Sequence, residues 1–431
     1  MNILVIGNGF DLAHGLPTKY TDFLFFCDMI LKIVEVNGVE LLIPENKEDF
    51  KKWLDDGSDV SLANTNDLFK YYNEKYSTGI AERDKKVYRS ILDDYFVSDF
   101  LSDKYDIQIK KEIIYLVYNN NWIKYFLQCD MHGSENWIDF ESEISKIVQS
   151  MDNDMHGSEN SFDLYDEIDI FFSSDFLENL QEEYGCAIFK EIRDILEKDL
   201  NALIRALEIY LCEYVEKIEI QEKSPDIDGL EIDFILSFNY THIFLKLYDV
   251  SSVSKQEVAN PFDYIHGEAN NENSIESNNM VLGIDEFLPD DRKNKDIEFI
   301  AFKKFYQRIY KGTGCKYKEW ADLFKKNERE LKEKYKKEYP DRVPFKQHGE
   351  KRHHLYIFGH SLDVTDKDIL RDLILNDNVY TTIFYHDKDT MGQQIANLVR
   401  VISQDELIRR TGGSTKTIEF KLQQPMIPIK E

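Results

Sequence analysis

Basic residues are scarce in this 431-residue sequence, in which 53 lysines and arginines stand against 81 aspartates and glutamates. The formal net charge is −28. Such a surface repels phosphate backbones and anionic lipid headgroups, which argues against a membrane partner and against nucleic-acid binding through a broad basic face. A local pocket for a small anion is still compatible with this charge, because one loop and a few backbone dipoles can hold an anion.

The sequence also lacks paired cysteines, long apolar runs and an export signal. Its five cysteines are isolated, with no C-x-x-C pair, which argues against a structural zinc site and indicates a reducing compartment. No run of eighteen apolar residues occurs, so no transmembrane helix is expected. The first six residues have no basic n-region. We therefore expect a cytoplasmic protein, and we predict no metal site.

Hydrophobic residues are present in sufficient number for a large core. They make up 42% of the chain, with 28 Phe and 25 Tyr, and the length suits one large domain or two ordinary ones. An apolar, β-branched run at 3–6 leads through a glycine-rich turn to a predicted helix at 20–34. Strand signals return at 233–238, 355–358 and 380–385, each of them largely apolar, as in strands that are covered on both faces. This order predicts a parallel α/β sheet.

A different pattern separates the first strand from the others. From about residue 45 to 225 the chain is acidic and aromatic with helical spacing and little glycine. We therefore predict a Rossmann-like α/β domain formed by residues 1–44 and 230–431, interrupted by a mostly helical insertion at 45–229. Inside the insertion, the string M-H-G-S-E-N at 131–136 recurs at 155–160, either as a duplicated surface loop or as a paired ligand site. A Lys/Glu-rich stretch at 315–353 indicates a solvated helix or a mobile loop.

The loop after the first strand is the most distinctive local feature. It reads Gly7-Asn8-Gly9-Phe10-Asp11 and precedes the predicted helix. Glycines there allow a sharp turn and a close approach to a phosphate, and the N–H groups at a helix start would face that anion. A plain tight turn is the alternative. The third glycine of a dehydrogenase fingerprint is replaced by Leu12, which argues against an ordinary NAD dehydrogenase.

Polar residues follow three later apolar runs. Asn239 follows the run at 233–238, His266 lies in Tyr-Ile-His-Gly at 264–267, and Gly359-His360-Ser361 follows the run at 355–358. Parallel sheets bind ligands at the carboxyl ends of their strands, and histidine suits proton transfer near neutral pH. Each of these residues alone is as readily a turn or cap residue. We predict that the turns that carry them converge on one pocket.

The string G-N-G-F-D-L-x-x-G-L-P-T-x-Y-x-D-F at 7–23 resembles the signature of the AbiH family of bacterial phage-defence (abortive infection) proteins. The strings W-I-D-F-E at 137–141, F-N-Y-T at 238–241 and I-H-G at 265–267 are also similar to that family, so the resemblance covers most of the chain. It implies a role in abortive infection.

A more distant resemblance, to sirtuin-like NAD hydrolases, covers residues 1–23, 233–267 and 354–386. Those proteins carry, in the same order, a G-A-G…G-I-P loop, an Asn-containing turn, an H-G pair and a G-T/Y-S turn. The resemblance implies a sirtuin-related sheet. Two departures are Thr241, where many of these enzymes have Asp after the catalytic Asn, and Thr18-Lys19-Tyr20 in place of Phe-Arg. Zinc cysteines are missing, so protein deacylation is not expected.

Together these resemblances imply a nucleotide-binding protein that hydrolyses NAD or a related nucleotide. The predicted catalytic residues are Asn239, His266 and Asp11, with His266 as base and with Asp11 or Glu141 as a carboxylate that stabilises an oxocarbenium-like sugar. The predicted ligand-binding residues are Gly7, Asn8, Gly9, Phe10, Asp11, Gly15, Leu16, Pro17, Thr18, Gly359, His360 and Ser361.

One alternative is a nucleotide-binding sensor or interaction subunit without catalysis. A nuclease is disfavoured by the negative charge. Besides the nucleotide, a second copy of the chain or another defence protein is an expected partner.

Overall fold

The computed structural model of the chain describes residues 1–132, 138–155, 186–248, 261–340, 353–413 and 416–429. The chain forms two compact units. The sheet unit consists of Met1–Leu16, Ile218–Glu268 and Arg308–Glu431, and the helical unit consists of Pro17–Lys217 and Ala269–Gln307. The M-H-G-S-E-N repeat lies largely outside the described residues.

The strands belong to the sheet unit. In chain order they are β1 Asn2–Ile6, β2 Glu222–Lys223, β3 Phe234–Ser237, β4 Phe262–Tyr264, β5 His353–Phe358, β6 Val379–Tyr385, β7 Ile418–Leu422 and β8 Ile427–Pro428. Over the described residues, six of them form one sheet in the order β4-β3-β1-β5-β6-β7, and β2 pairs with β8 separately.

The helices, in chain order, are α1 Asn8–Ala13, α2 Tyr20–Asn37, α3 Lys47–Asp55, α4 Asn66–Lys75, α5 Glu82–Ser90, α6 Ile107–Tyr118, α7 Asn121–His132, α8 Phe140–Met155, α9 Cys186–Glu213, α10 Ile243–Leu247, α11 Lys304–Lys311, α12 Tyr317–Glu338, α13 Lys367–Ile374, α14 Lys388–Ile402 and α15 Gln404–Thr411. A π-helix spans Ile91–Phe100, and short 3₁₀ turns lie at Glu40–Leu42, Val215–Lys217, Ile300–Phe302 and Val364–Asp366. Among the described residues, no helix is both long and apolar enough to span a membrane.

Every pairing within the six-stranded sheet is parallel. Counted along the chain, its strands take the order 3-2-1-4-5-6, which is the order of doubly wound nucleotide-binding sheets. The order reverses between β1 and β5, where Ile6 pairs with Phe358. In such sheets the crevice for ligands opens at the carboxyl ends of the two strands at the reversal. The prediction of a Rossmann-like parallel α/β sheet is confirmed.

The core of the sheet unit explains why its strands read as continuous apolar runs. In β1 the side chains of Ile3, Leu4, Val5 and Ile6 are all buried, although alternate residues point to opposite faces. One face packs against α12, α13 and α14 through an apolar cluster that includes Trp320, Ile369 and Leu398. A strand that is buried on both faces has no polar positions, and it therefore lacks the alternation of a half-exposed strand.

The boundary between the two units differs from the expected one at its N-terminal side. Helix α2, which was assigned to the α/β domain (1–44), belongs to the helical unit instead. The reason lies in its aromatic face. Phe25 stacks on Tyr88 at 4.3 Å, and Phe26 lies 5.0 Å from the ring of Tyr210 and 5.5 Å from that of Phe96. These rings bury α2 within the helical core.

The second difference concerns 269–307, which was also assigned to the α/β domain but belongs to the helical unit. Glu208 of α9, fully buried, attaches this segment to the helices. Its carboxylate accepts hydrogen bonds from the Asn270 backbone N–H and from the side chains of Asn273 and Asn278, and it pairs with Arg205 at 2.6 Å. A buried carboxylate needs such partners. Sequence periodicity does not reveal this attachment, because it depends on polar contacts rather than on an apolar pattern.

The Lys/Glu-rich stretch at 315–353 contains the long helix α12, whose N-terminal part packs on the sheet through Tyr317, Trp320 and Phe324. Residues 317–338 therefore form a helix rather than a loop, and this helix is solvated from residue 325 onward. The remainder of that stretch, at 341–352, lies outside the described residues.

Candidate functional site

The four predicted turns lie together at the carboxyl edge of the sheet. Backbone hydrogen bonds connect their starting points: the Phe238 N–H donates to the Ile6 carbonyl (2.9 Å), the Ile265 N–H to the Ser237 carbonyl (2.9 Å) and the Gly7 N–H to the Phe358 carbonyl (3.2 Å). The ends of β1, β3, β4 and β5 are thus adjacent where the strand order reverses. We call the polar group at these ends, Asp11, Asn239, His266, His360 and Asp366, the carboxyl-edge site.

Gly9 and Gly359 bring the two central turns into direct backbone contact. The Gly9 N–H donates to the Gly359 carbonyl at 2.8 Å. A Cβ at Gly9 would lie 2.8 Å from the Gly359 Cα, and a Cβ at Gly359, where φ is +69°, would lie 2.1 Å from the Phe10 nitrogen. The glycines of the N-terminal loop are therefore required by chain packing at the reversal point.

Gly7, Gly9 and Phe10, which the sequence predicts as part of a backbone cradle for phosphate, have their N–H groups engaged within the chain. Their N–H groups donate to the carbonyls of Phe358, Gly359 and Gly7 respectively, all at 2.8–3.2 Å. An N–H that already donates to a backbone carbonyl cannot hold an anion without breaking that bond. If these residues contribute to a nucleotide site, they do so by placing the neighbouring side chains.

The remainder of the N-terminal loop is largely structural. Phe10 and Leu16 are fully buried apolar side chains, and Gly15 takes a left-handed φ of +80° just after α1 ends. His14 is buried with both ring nitrogens engaged: Nδ1 lies 2.7 Å from the Phe10 carbonyl and Nε2 lies 2.9 Å from the Tyr248 hydroxyl. Burial lowers the pKa of His14. A neutral ring that donates from Nδ1 and accepts at Nε2 satisfies both contacts.

Asp11 lies in α1, the short helix that begins directly after β1 where the sequence predicts a loop, and Thr241 lies in the turn after β3. The Thr241 hydroxyl donates to Asp11 Oδ2 at 2.8 Å, and both side chains are buried. Thr241 is the residue that departs from the sirtuin-like pattern, and its hydroxyl gives this position a definite role. It fixes the orientation of the Asp11 carboxylate at the end of β1.

Asn239 is the least satisfied polar side chain of the site. It is 5% exposed, and neither its amide nitrogen nor its amide oxygen has a hydrogen-bond partner among the described residues. Its backbone is held in place, because the Ser237 hydroxyl donates to the Asn239 carbonyl and accepts from the Asn239 N–H. An unpaired buried amide costs free energy, which makes Asn239 a candidate for contact with a ligand.

His266 follows β4, the strand next to β3, after which Asn239 lies. The rings of Phe238 and Tyr240, which flank Asn239 in sequence, lie 5.4 Å and 6.5 Å from the His266 ring. His266 Nε2 lies 3.3 Å from Asp366 Oδ1. On the other side of that carboxylate, His360 Nε2 lies 3.6 Å from Asp366 Oδ2. Two histidines from different strands thus face one buried carboxylate.

Sequence reasoning missed Asp366 and Gln394. Asp366 ends the 3₁₀ turn at Val364–Asp366, five residues beyond the predicted Ser361, and a single Asp in a Lys/Asp-rich stretch gave no signal. Gln394 of α14 is 2% exposed and donates to the carbonyls of His360 and Phe384, while its Oε1 has no partner in the described part of the chain. Because Gln394 lies within a helix, its sequence position does not indicate that its side chain points toward the strand ends.

Several predicted residues lie apart from this group. Ser361 is exposed, although its carbonyl accepts from Asn397 of α14. Pro17 and Thr18 belong to the helical unit, where the Pro17 carbonyl accepts from Tyr210. Glu141 is also in the helical unit and pairs with Lys304 at 2.8 Å. Glu141 is therefore already neutralised, which leaves Asp11 as the better candidate of the two predicted carboxylates.

The buried charge of the sheet unit is negative at this edge. Asp11 and Asp366 are both buried. Over the described residues of the sheet unit, Arg410 is the one buried Lys or Arg side chain, and it pairs with Glu406 and Asp377. No group of His, Cys, Asp and Glu in the described parts of the chain has the arrangement of a metal site. The carboxyl-edge site is thus suited to a neutral or cationic group rather than to a phosphate.

The family signature is borne out by comparison with known proteins. A sequence model of the family described as "Bacteriophage abortive infection AbiH" matches residues 3–386, which include all four turns of the site. The match spans most of the chain, so the chain belongs to the AbiH family. Among proteins with curated functions, none matches it.

Proposed function

We propose that this member of the AbiH family acts in phage defence by binding a nucleotide at the carboxyl edge of its sheet and hydrolysing NAD or a related nucleotide. The observation that carries the proposal is the buried amide of Asn239, which has no partner among the described residues and follows β3, the strand next to the one that precedes His266. A donor and an acceptor together suit a ribose hydroxyl or an attacking water. The strand order supports the same location.

The negative charge of the site favours the nicotinamide end of the ligand. The nicotinamide ring of NAD is cationic, and breaking its bond to ribose develops positive charge on the sugar. A buried carboxylate directed at that charge stabilises it in the transition state. Asp11, whose orientation is set by Thr241, is placed at the edge to do this.

The proposed reaction is a hydrolysis at the C1′ carbon of the ribose. The C1′–N bond breaks and its electron pair leaves with nicotinamide, while a water oxygen forms the new bond to C1′. His266 accepts a proton from that water, and Asn239 orients the water or a ribose hydroxyl. A positioned base of this kind contributes about 10²- to 10⁴-fold in rate.

Chromatography of nicotinamide released from NAD and NADP tests the proposal, with ATP as a nucleotide that has no nicotinamide. We expect His266→Ala to lower turnover by about 10²- to 10⁴-fold and to leave the affinity within a few-fold, because a base acts mainly on the transition state. His386→Ala is the matched control, since His386 is exposed at the end of β6. It should behave as wild type.

Three outcomes separate the alternatives. Nicotinamide release that depends on His266 supports the hydrolase. Tight nucleotide binding with no release, in wild type and variant alike, contradicts the hydrolase and favours the non-catalytic sensor. Loss of folding in His266→Ala would mean that the imidazole is a structural core group.

A further inference from the structure

We infer that Asp366 is the positioning residue of the carboxyl-edge site, holding the His266 imidazole through its Nε2 and stabilising that ring when it takes up a proton. The inference rests on the proposed function for its catalytic consequence. The contact between Asp366 and His266 can be tested without it.

Hydrogen bonds within the 3₁₀ turn hold the backbone around Asp366 in place. Asp363 begins the 3₁₀ turn at Val364–Asp366, with its side chain accepting from the Thr365 N–H at 3.0 Å and its carbonyl accepting from the Asp366 N–H at 3.3 Å. The Asp366 side chain is buried within reach of both histidines. A buried carboxylate is costly unless cationic or donor groups face it. The two imidazoles supply those groups.

The two histidines differ in their hydrogen bonds. His360 Nδ1 accepts a hydrogen bond from the Leu362 N–H at 2.8 Å, so its ring hydrogen must be on Nε2, the nitrogen 3.6 Å from Asp366 Oδ2. The ring of His360 also packs edge-on against Phe238 at 4.2 Å. A second proton on His360 would break its bond to Leu362. His360 is therefore held by Leu362 and Phe238, and it orients the Asp366 carboxylate through its Nε2.

His266 is therefore the imidazole whose protonated form Asp366 can stabilise. Its Nε2 lies 3.3 Å from Oδ1, an ion-pair distance that still lacks hydrogen-bond alignment, as is common before a substrate binds. With the Nε2–H directed at the carboxylate, the proton from water is taken up at Nδ1. Asp366 keeps its charge throughout and stabilises the imidazolium. No oxidant or second reactant is needed.

The other carboxylates named at this edge interact with residues other than His266. Asp11 accepts from Thr241. Glu268 pairs with His242 at 3.0 Å, and the hydrogen bond from that imidazole lowers the pKa of Glu268. The ring centroids of Tyr240 and His266 are 6.5 Å apart. Within the described residues of the sheet unit, Asp366 is thus the carboxylate placed to act on His266.

The test is NMR of the full chain labelled with ¹⁵N-histidine, with His266 and His360 assigned from His266→Gln and His360→Gln. We expect wild-type His266 to carry its neutral hydrogen on Nε2. In Asp366→Asn, which removes the charge and keeps the size, the titration midpoint of His266 should fall, because an opposite charge at this distance favours the protonated ring. Asp363→Asn is the matched control in the same turn, since Asn also caps it, and it should leave the midpoint unchanged.

Turnover supplies the second measurement. In Asp366→Asn the kcat should fall at least about 10-fold, but by no more than the about 10²- to 10⁴-fold expected for losing the base. The KM should stay within a few-fold of wild type. The acidic limb of the pH profile of kcat should move to lower pH. A merely structural role would not move that limb.

The two readouts distinguish the two ways of failing. A neutral hydrogen on Nδ1 in wild-type His266, which needs no variant to observe, overturns the inference. So does an unchanged midpoint in folded Asp366→Asn. A lowered midpoint without any nicotinamide release from wild type overturns the hydrolase and leaves the Asp366–His266 pair established.

Discussion

Replacing Asn239 by Leu should stabilise the protein while removing its ligand binding. Leu is close to Asn in size and lacks the two amide atoms, which are without partners among the described residues. The backbone of Asn239 does not have a positive φ, so Leu can adopt its conformation. The hydrogen bonds to Ser237 use backbone atoms of Asn239 and survive the change.

The magnitude follows from the cost of an unpaired buried polar group. Leaving such a group unpaired costs about 1–3 kcal/mol, and replacing it by an apolar group of similar shape removes that cost. Asn239 is 5% exposed, so solvent does little to lower the penalty. We therefore expect the free energy of unfolding of the sheet unit to rise by about 1–3 kcal/mol in Asn239→Leu.

Asn397→Leu is the matched control. Asn397 is 2% exposed in the same unit, but its amide donates to the Ser361 carbonyl at 2.9 Å and accepts from Gln393 at 3.0 Å. The same substitution there leaves two groups without partners, and should lower the free energy of unfolding by about 1–3 kcal/mol.

Native-state hydrogen exchange of the β1 and β5 amides is the suitable assay, because it reports opening of the sheet unit separately from the helical unit. Two units need not unfold in one transition, so a single melting temperature would mix them. If Asn239→Leu destabilises the sheet as much as Asn397→Leu does, the Asn239 amide has a structural partner and the reasoning is refuted.

Two further predictions concern packing and pH. Gly15→Ala should cost about 1–2 kcal/mol, the strain of a left-handed conformation, because nothing lies within 4 Å of a Cβ there. Gly359→Ala should destabilise the sheet unit by clearly more, because its Cβ would also meet a backbone atom at 2.1 Å. Equal losses of unfolding free energy in urea would contradict the close contact. Burial raises the pKa of Asp22, fully buried in the helical unit, from 3.8 to about 6, so the folded state binds the proton more tightly and wild type loses stability as pH rises through that range. The stability gain of Asp22→Asn over wild type should therefore be about 1.4 kcal/mol larger at pH 8 than at pH 5, and a pH-independent difference in urea unfolding would contradict it.

Much of the sheet can be predicted from the sequence because burial on both faces leaves an unbroken apolar run. The runs at 3–6, 233–238, 355–358 and 380–385 match β1, β3, β5 and β6 within a residue or two. The edge strand β7 was missed because the search for strands followed continuous apolar runs. Its Ile-Glu-Phe-Lys-Leu alternation is the pattern of a half-exposed strand.

The unit boundaries were less predictable, because they depend on what an element packs against. Helix α2 follows β1 and the short helix α1 in sequence, where the first long helix of a Rossmann-like domain is expected, yet its phenylalanines pack among the rings of the helical unit. Composition indicates that such a helix is buried. It does not indicate which core buries it.

The residues of the carboxyl-edge site also include some that can be predicted from the sequence and some that cannot. Asn239 and His266 could be predicted because each immediately follows a strand, and parallel strands place such residues at one edge. The role of the glycines could not, since the close contact of Gly9 with Gly359 joins positions 350 residues apart. Asp366 lies in a short 3₁₀ turn, and only the folded chain shows that its carboxylate faces both histidines.

Calorimetric titration of NAD into wild type, Asn239→Leu and His386→Ala tests the central claim most directly. If the carboxyl edge of the sheet is the nucleotide site, wild type and His386→Ala bind alike, and Asn239→Leu loses at least about 10-fold in affinity, since one lost hydrogen-bonding partner is worth about 1.4 kcal/mol or more. Binding of NAD to a folded Asn239→Leu with wild-type affinity would contradict the account, because the ligand would then not contact the buried Asn239 amide, whose nitrogen and oxygen both lack partners among the described residues.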